Sequence, residues 1–337
     1  MSNISHLLER YREHPAILQL IEALARAGLP GAAGPAARVQ LSGLKGAQTA
    51  FILAAATSRM GVTALHIAES KEEAAYLLND LQGILGEQSV FFFPDSFKRP
   101  AFFDDLNPAQ VLQRSETVNR LSQQNSGPGI VVTYPEALFE KVVSPEVLAQ
   151  NRIEVTRGEV LDLDFVVQVL VEYGFERTDF VYEPGQFSLR GGIIDLFSYG
   201  NELPYRIELF DDEVESIRTF DPLTQLSSQQ LGRLSIVPNL NTRFRQDQKV
   251  SLFRVLAADT VIWIKDFQFL LDRLQYCFEK TEQFAAKISA LDAAEIRELF
   301  RDRAFLFPGE VVEEVREHPV VFLEKPGQAT TDMLASQ

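Results

Sequence analysis

The sequence predicts an α/β protein in which a parallel-sheet domain is interrupted by a smaller α+β domain. Short apolar runs that do not alternate with polar residues are typical of strands buried on both faces, and helical stretches lie between these runs. Near residue 151 this pattern gives way to alternating segments separated by turns, and it returns near residue 250. At roughly 150 residues per domain, we expect one domain made of residues 1–150 and 241–337 and an inserted domain at 151–240.

The elements of the parallel-sheet domain follow from the spacing of apolar residues. Before the insert, the sequence predicts helices at 4–28, 48–59 and 71–85 and strands at 38–41, 63–68, 90–93 and 130–133. After the insert, it predicts helices at 249–256 and 268–303 and strands at 261–264 and 320–323. Strands that are separated by helices in this way indicate a parallel sheet.

The insert begins with a predicted helix at 162–173, and its β segments are 175–182, 186–190, 191–197, 204–210 and 213–221. If Pro184 and Gly185 form a two-residue turn, the first two segments pair as a hairpin. A period of two then directs one set of side chains to the core, namely Phe180, Tyr182, Phe187 and Leu189. Arg177 and Arg190 become diagonal neighbours on the outward face, which also carries Asp179, Val181 and Ser188.

Charge favours a protein partner over nucleic acid. The chain carries 47 acidic and 32 basic residues, and a net charge of −15 disfavours nonspecific binding to a polyanion. Residues 151–240 hold 16 acids and 7 bases, a net charge of −9, and all seven bases are arginine. Arginine offers a planar fork for carboxylates and is enriched among the residues that dominate protein interfaces. The insert is therefore expected to bind a protein.

The cellular compartment follows from cysteine usage and hydropathy. Cys277 is the only cysteine, so an internal disulfide is impossible, which suits a reducing compartment. No apolar run approaches the ~20 residues of a membrane span, and charges interrupt the N-terminal segment, unlike a signal peptide. The four histidines have no metal-type spacing. We expect a cytoplasmic protein without a membrane partner or a metal site.

A glycine-containing loop, GLKGAQTA at 43–50, stands between a predicted strand and helix, where a phosphate-binding loop belongs. Gly43 stands at the first glycine of the motif and Gly46 also lies in the loop, but Lys45 cannot reach the geometry of the motif's lysine from its position. Gln48, however, replaces the second glycine of the motif, and Thr49 stands where the phosphate-binding lysine should be. The loop is therefore predicted to be a degenerate nucleotide loop.

The metal-binding half of a nucleotide site is altered as well. Ala50 occupies the position of the hydroxyl residue that binds Mg²⁺, and in VIWIKDF at 261–267 Lys265 takes the position of the metal-binding carboxylate. Two independent losses predict that this chain does not hydrolyse ATP, because neither the phosphate cradle nor the Mg²⁺ ligands remain.

The sequence resembles the N-terminal UvrB-like module of the bacterial transcription-repair coupling factor from about residue 15 onward, most densely over 174–222, GFERTDFVYEPGQFSLRGGIIDLFSYGNELPYRIELFDDEVESIRTFDP. The resemblance implies a RecA-like domain of the P-loop NTPase type that has lost its ATP site. It also implies that the inserted domain recruits UvrA, the damage-recognition ATPase of nucleotide excision repair, so that this chain is a non-catalytic adaptor.

The same resemblance implies that this chain is a fragment. Family members carry an ATP-dependent DNA translocase motor and a polymerase-interacting domain further along, so ATP, Mg²⁺, RNA polymerase and DNA would act through regions absent from this chain. No cofactor is expected for the fragment itself.

Candidate contact residues also come from the resemblance. In UvrB-like proteins the arginines that contact UvrA match Arg177 and Arg190. Phe197 and Glu213 are further candidates, although Phe197 ends an apolar strand typical of a core and Glu213 lies in an acidic turn typical of a solvated loop. An additional arginine of UvrB is Ser188 here, which predicts a different or weaker set of contacts.

Two other functions stay open at this point: a nucleotide-dependent helicase-like enzyme and a DNA-binding UvrB-type domain. A purely structural role of Arg190 is open too, since the predicted hairpin places it opposite Asp179. Such an exposed ion pair would contribute only about 0–1 kcal/mol to stability.

Overall fold

The computed structural model describes residues 3–27, 36–96, 107–122, 127–150, 153–199, 203–236, 249–287, 305–324 and 326–335. The chain forms two compact units. The first comprises Met1–Leu106, Arg120–Lys141 and Val250–Gln337, and the second comprises Asn107–Asn119 and Val142–Lys249. The division into 1–150, 151–240 and 241–337 stays a prediction.

The strands of the described residues are β1 Arg38–Gln40, β2 Ala64–Ile67, β3 Val90–Phe92, β4 Ile130–Thr133, β5 Val142–Val143, β6 Ile153–Thr156, β7 Glu176–Arg177, β8 Gln186–Arg190, β9 Ile193–Leu196, β10 Tyr205–Phe210, β11 Glu213–Phe220, β12 Ser227–Leu231, β13 Arg233–Ile236, β14 Lys249–Val250, β15 Val261–Ile264 and β16 Val320–Phe322. The helices are α1 Asn3–Arg12, α2 Pro15–Ala27, α3 Gln48–Met60, α4 Lys71–Leu85, α5 Pro108–Ser122, α6 Pro135–Phe139, α7 Pro145–Gln150, α8 Leu163–Glu172, α9 Leu252–Val255, α10 Phe267–Lys287, α11 Pro308–Arg316 and α12 Gln328–Ala335.

The first unit is built on a six-stranded sheet in the order β1-β16-β15-β2-β4-β3, and every neighbouring pair in it is parallel. All residues of β2, β4 and β15 are buried. Burial on both faces explains why these strands are continuous apolar runs in the sequence. The predicted parallel sheet is confirmed.

The second unit contains a separate six-stranded sheet in the order β12-β11-β10-β9-β8-β7. Its pairs are antiparallel except β7 with β8. One face packs with the apolar side of α8 into a core that includes Val166, Leu170, Phe187, Ile194, Leu196, Ile207 and Ile217. The predicted α+β character of this region is confirmed.

Three predicted helices have different limits. The helix expected at 4–28 is divided between α1 and α2 at Pro15, whose ring nitrogen has no hydrogen to donate to a continuing helix. The segment 249–256 forms β14 and the short helix α9 instead of one helix. The long helix expected to reach residue 303 is observed to Lys287, and 288–304 lies outside the described residues.

The predicted hairpin around Pro184 and Gly185 is wrong. Of the segment 175–182, the structure has a strand only at β7, and β7 runs parallel to β8, with Arg177 in register with Phe187. Gly185 has a φ of +86°, and a Cβ at this position would lie 2.0 Å from the hydroxyl oxygen of Tyr199. Only glycine fits at this turn, and the parallel pairing of β7 with β8 excludes a hairpin.

Between β7 and β8 the chain forms a strap, which we define as residues Thr178–Glu183. The amides of Tyr182 and Glu183 donate to the side-chain oxygen of Gln186 at 2.9 and 3.1 Å, so this glutamine replaces a partner strand. Val181 is fully buried with Phe197 and Phe220 in a small apolar cluster. The conformation of the strap is therefore set by these bonds to Gln186 and by the burial of Val181, and not by the predicted strand pairing.

Among the described helices, none is both long enough and apolar enough to span a membrane. The same residues contain no group of three or more histidine, cysteine, aspartate or glutamate side chains that is arranged to hold a metal ion.

Candidate functional site

Arg190, the last residue of β8, is held by a carboxylate that has no exposed surface. Asp195 lies on β9 in the middle of an otherwise apolar strand, and its side chain accepts a hydrogen bond from Arg190. Arg206 on β10 binds the same carboxylate through Nε at 2.7 Å and Nη2 at 2.9 Å. One buried acid thus holds two guanidinium groups.

The two arginines differ in what they present to solvent. The side chain of Arg206 is 16% exposed and that of Arg190 is 39% exposed. Hydrogen bonding to Asp195 raises the pKa of Arg206 above its ordinary value, which keeps this guanidinium charged. Asp195 therefore fixes the orientation of Arg190, while part of the Arg190 fork remains open to a partner.

The ion pair of Arg190 is with Asp195 and not with Asp179. Arg190 Nη1 lies 3.5 Å from the backbone carbonyl oxygen of Asp179, at the limit of a hydrogen bond. The expected alternative of a bridge between the Arg190 and Asp179 side chains is wrong, because Asp179 lies in the strap and not in a paired strand.

Arg177 is exposed, but it is not a diagonal neighbour of Arg190 on a shared face. Residues in register on adjacent strands point to the same side of a sheet, so Arg177 lies on the side of Phe187. Arg190 lies on the side of Ser188, which is the opposite one. The predicted outward face with both arginines is therefore wrong, and a surface that uses both must wrap around the β7–β8 edge.

The predicted core-facing side chains are confirmed on β8, but they are wrong in the strap. Phe187 is fully buried and Leu189 packs against the same core, as expected. In the strap, Phe180 is 48% exposed and Tyr182 is 50% exposed, while Val181 is buried between them. The strap retains a period of two, but the face that is buried is the opposite of the predicted one.

Ser188 is buried, although it was expected to face outward. Its side chain is 1% exposed, and it lies in register with Asp195. Ser188 itself therefore offers no contact to a partner at the surface.

The two weaker candidates have opposite environments. Phe197 is 5% exposed and packs with Val181 and Phe220, so its place is in the small apolar cluster. Glu213 is exposed at the start of β11, next to a turn in which Asp211 has a φ of +57°. Because β8 and β10 both run antiparallel to β9, Glu213 lies at the same end of the sheet as Arg190.

Sequence reasoning missed Asp195 and Arg206. The signal was present, since Asp195 is the one acid in the apolar run IIDLF and Arg206 alternates with apolar residues in YRIELF. A charge in the middle of such a strand indicates a buried ion pair. Direct register between Asp195 and Arg206 on neighbouring strands brings the pair together.

The degenerate loop of the first unit uses one of its own backbone donors. Gly43 and Gly46 have φ values of +78° and +57°, as a tight loop requires. The side-chain oxygen of Gln48 accepts a hydrogen bond from the amide of Lys45 at 2.8 Å. Thr49 is half-buried in the first turn of α3. An amide that a phosphate oxygen would need is therefore occupied by the residue that replaces the second glycine.

The position of the metal-binding carboxylate carries a lysine with two acidic neighbours. Lys265 follows β15, and its ammonium lies 2.7 Å from Glu69, after β2, and 3.7 Å from Glu324, after β16. Hydrogen bonding to Glu69 raises the pKa of Lys265. These residues do not fit a nucleotide with Mg²⁺, because an ammonium group already neutralises the carboxylates at this edge of the sheet.

Residues 153–241 match the family model of the UvrB interaction domain. The resemblance seen in the sequence is confirmed. The matched range contains β6 to β13 and all of the residues around Arg190 described above.

Three relatives of this chain are transcription-repair-coupling factors. The chain is 32% identical over 210 residues to the transcription-repair-coupling factor of Bacillus subtilis (strain 168), which covers 62% of this chain and 18% of that protein. It is 32% identical over 207 residues to that of Myxococcus xanthus, covering 60% of this chain and 17% of that protein. It is 29% identical over 266 residues to that of Staphylococcus aureus (strain Mu50 / ATCC 700699), covering 79% of this chain and 21% of that protein. The chain spans about a fifth of the length of these relatives.

Proposed function

We propose that this chain is a non-catalytic adaptor in transcription-coupled nucleotide excision repair, and that its UvrB interaction domain binds UvrA. The family match of residues 153–241 and the similarity to transcription-repair-coupling factors support a role in this pathway. In the complete protein, RNA polymerase and DNA would be bound by other regions. The observation that carries the UvrA proposal is the half-exposed Arg190 fixed by a buried acid.

A fixed arginine is well suited to bind a carboxylate of a protein partner. A free arginine loses about 2 kcal/mol of rotamer entropy when it is immobilised, and Asp195 has already restricted Arg190 before a partner arrives. Arginines at protein interfaces are often the residues whose truncation weakens binding most. Arg177, exposed at the edge of the same sheet, can add a second contact if the partner extends around that edge.

The charge of the second unit favours this partner over DNA. The range 151–240 has a net charge of −9, and an arginine cluster within an acidic unit attracts a local carboxylate without attracting a polyanion as a whole. The adaptor proposal therefore does not require the chain itself to bind DNA.

The proposed absence of catalysis is supported by the first unit. The Lys45 amide is occupied by Gln48, and Lys265 stands with Glu69 at the edge where Mg²⁺ would bind. ATP and Mg²⁺ would then serve other regions of the complete protein.

Calorimetric titration of the purified chain with UvrA tests the proposal. The wild type should bind, and Arg190→Ala should weaken binding about tenfold or more, which corresponds to about 1.4 kcal/mol. Arg177→Ala should weaken binding less. Arg233→Ala, which removes another exposed arginine of the second unit, is the matched control and should bind like wild type. No binding by the wild type would refute the adaptor, and equal binding by Arg190→Ala would remove this residue from the surface.

A further inference from the structure

We propose that Phe180 and Tyr182 form the apolar centre of the surface on which Arg190 lies, and that a UvrA segment with a carboxylate beside an apolar side chain occupies it. This inference rests on the proposed function and identifies the part of the surface that the family resemblance did not supply.

The aromatic pair is continuous with Arg190. The guanidinium of Arg190 lies over the ring of Phe180, 5.1 Å from its centroid. The Phe180 and Tyr182 ring centroids are 6.5 Å apart. A cation above an aromatic ring is a favourable contact, and it also shields the guanidinium from water on one side. One hydrogen-bonded fork and two rings therefore form a single patch.

The rings are held on the surface by what the rest of the strap buries. Val181 is fully buried, so the alternating positions on each side of it must face outward. Thr178 Oγ1 donates to the carbonyl oxygen of Phe180 at 2.9 Å, and the side-chain amide of Gln225 donates to the carbonyl oxygen of Val181 at 3.1 Å. These two bonds hold the backbone of the strap in the conformation that buries Val181 and leaves both rings exposed.

The bond from Gln225 also brings a second apolar segment beside the strap. Leu223 is 85% exposed and Leu226 is 69% exposed, and both belong to the turn that contains Gln225. Single exposed apolar residues are ordinary on a protein surface. Gln225 nevertheless joins this turn, with its two exposed leucines, to the strap.

Charge selects the occupant. Arg190 is the cation that contacts the rings, whereas the strap itself carries the exposed acids Asp179 and Glu183. The complementary carboxylate must therefore reach Arg190 itself, with an apolar side chain placed against the rings. Another exposed apolar residue of the same unit, Phe210 at 75% exposure, adjoins the acids Asp211 and Asp212, whereas Phe180 has a guanidinium over its ring.

Calorimetry with UvrA tests this inference with Phe180→Ala, Tyr182→Ala and Phe180→Ala/Arg190→Ala. Each single ring variant should weaken binding about tenfold. The dissociation constant of the double variant should rise by less than the product of the two single fold-changes, because Phe180 and Arg190 act together. Phe180→Tyr keeps the ring and should bind within about threefold of wild type. Tyr76→Ala, at a position 77% exposed on α4 of the first unit, is the control and should bind like wild type.

The outcomes separate this inference from the function on which it rests. If the wild type binds, Arg190→Ala is weak and both ring variants bind like wild type, the aromatic surface is refuted and the adaptor stands. If the wild type does not bind UvrA, both fail. Circular dichroism of each variant establishes that the fold is retained, and the exposure of both rings makes this the expected result.

Discussion

The two units contain ion clusters of opposite composition. In the second unit, two arginines share the buried acid Asp195, so the cluster has a surplus of positive charge at the surface. In the first unit, Lys265 is placed with two acids, Glu69 and Glu324, so the cluster has a surplus of negative charge at the edge of the sheet where a phosphate would bind.

This difference shows how an acidic chain can favour one anionic partner and disfavour another. A carboxylate that approaches Arg190 meets an oriented donor beside aromatic rings. A phosphate that approaches Lys265 meets a cation that is already neutralised by two acids. The net charge of the chain, −15, is the same for both anions. The local arrangement of charges, and not the net charge, therefore decides which anion is favoured.

The largest expected effect comes from removing the shared acid of the second unit. Asp195→Asn leaves Arg190 and Arg206 without their buried counter-charge and should lower the free energy of unfolding by about 3–5 kcal/mol. Urea unfolding measured by circular dichroism checks this, with Asp179→Asn in the exposed strap as the control. A loss below about 1 kcal/mol would show that Asp195 does not hold the cluster together.

A smaller effect, on the first unit only, is expected from mild acid. Burial lowers the pKa of His66 to about 4, and burial also lowers the pKa of His318. Below the unfolded pKa of about 6.5 the unfolded chain binds a proton that folded His66 does not, so stability falls as pH falls. From pH 7 to 5 the loss for His66 is about 2 kcal/mol. The sequence of the second unit contains no histidine, so this effect should be absent there.

Fluorescence of Trp263 can measure this difference, because Trp263 is the only tryptophan and lies in register with His66 on the neighbouring strand. The urea midpoint reported by Trp263 should be lower at pH 5 than at pH 7, and His66→Gln should reduce the difference. Equal midpoints at both pH values in the wild type would contradict the assignment of acid sensitivity to the first unit.

The smallest effect is expected at Lys265. Its side chain is 36% exposed, and exposed ion pairs contribute little because water screens them. Lys265→Met should therefore change the free energy of unfolding by less than about 1 kcal/mol, as measured by urea unfolding. A change comparable to that of Asp195→Asn would mean that the two clusters do not differ as described.

The sequence predicted the parallel sheet well because its strands are buried on both faces. Continuous apolar runs such as IVVT in β4 and VIWI in β15 fit a strand that is buried on both faces, and they were placed correctly. The strap was not predictable in the same way. Its alternation of Phe180, Val181 and Tyr182 fits either face of a strand, and only the apolar cluster with Phe197 and Phe220 decides which side is buried.

The candidate site was predictable in part. The resemblance identified Arg190, but its partner Asp195 depends on the register between β8, β9 and β10, which no local pattern specifies. Arg177 was placed on the wrong face because β7 pairs parallel to β8. Periodicity gives the period of a segment, whereas the direction and register of its neighbours come from tertiary packing.

In the proposed adaptor, a fixed guanidinium fork, and not positive charge alone, makes Arg190 the centre of the surface that binds UvrA. The dissociation constant of UvrA for Arg190→Lys, compared with that for wild type by calorimetry, distinguishes the two, because lysine keeps the charge and loses the fork. We expect binding about tenfold weaker than wild type. Affinity equal to that of wild type would show that positive charge alone is sufficient at this position.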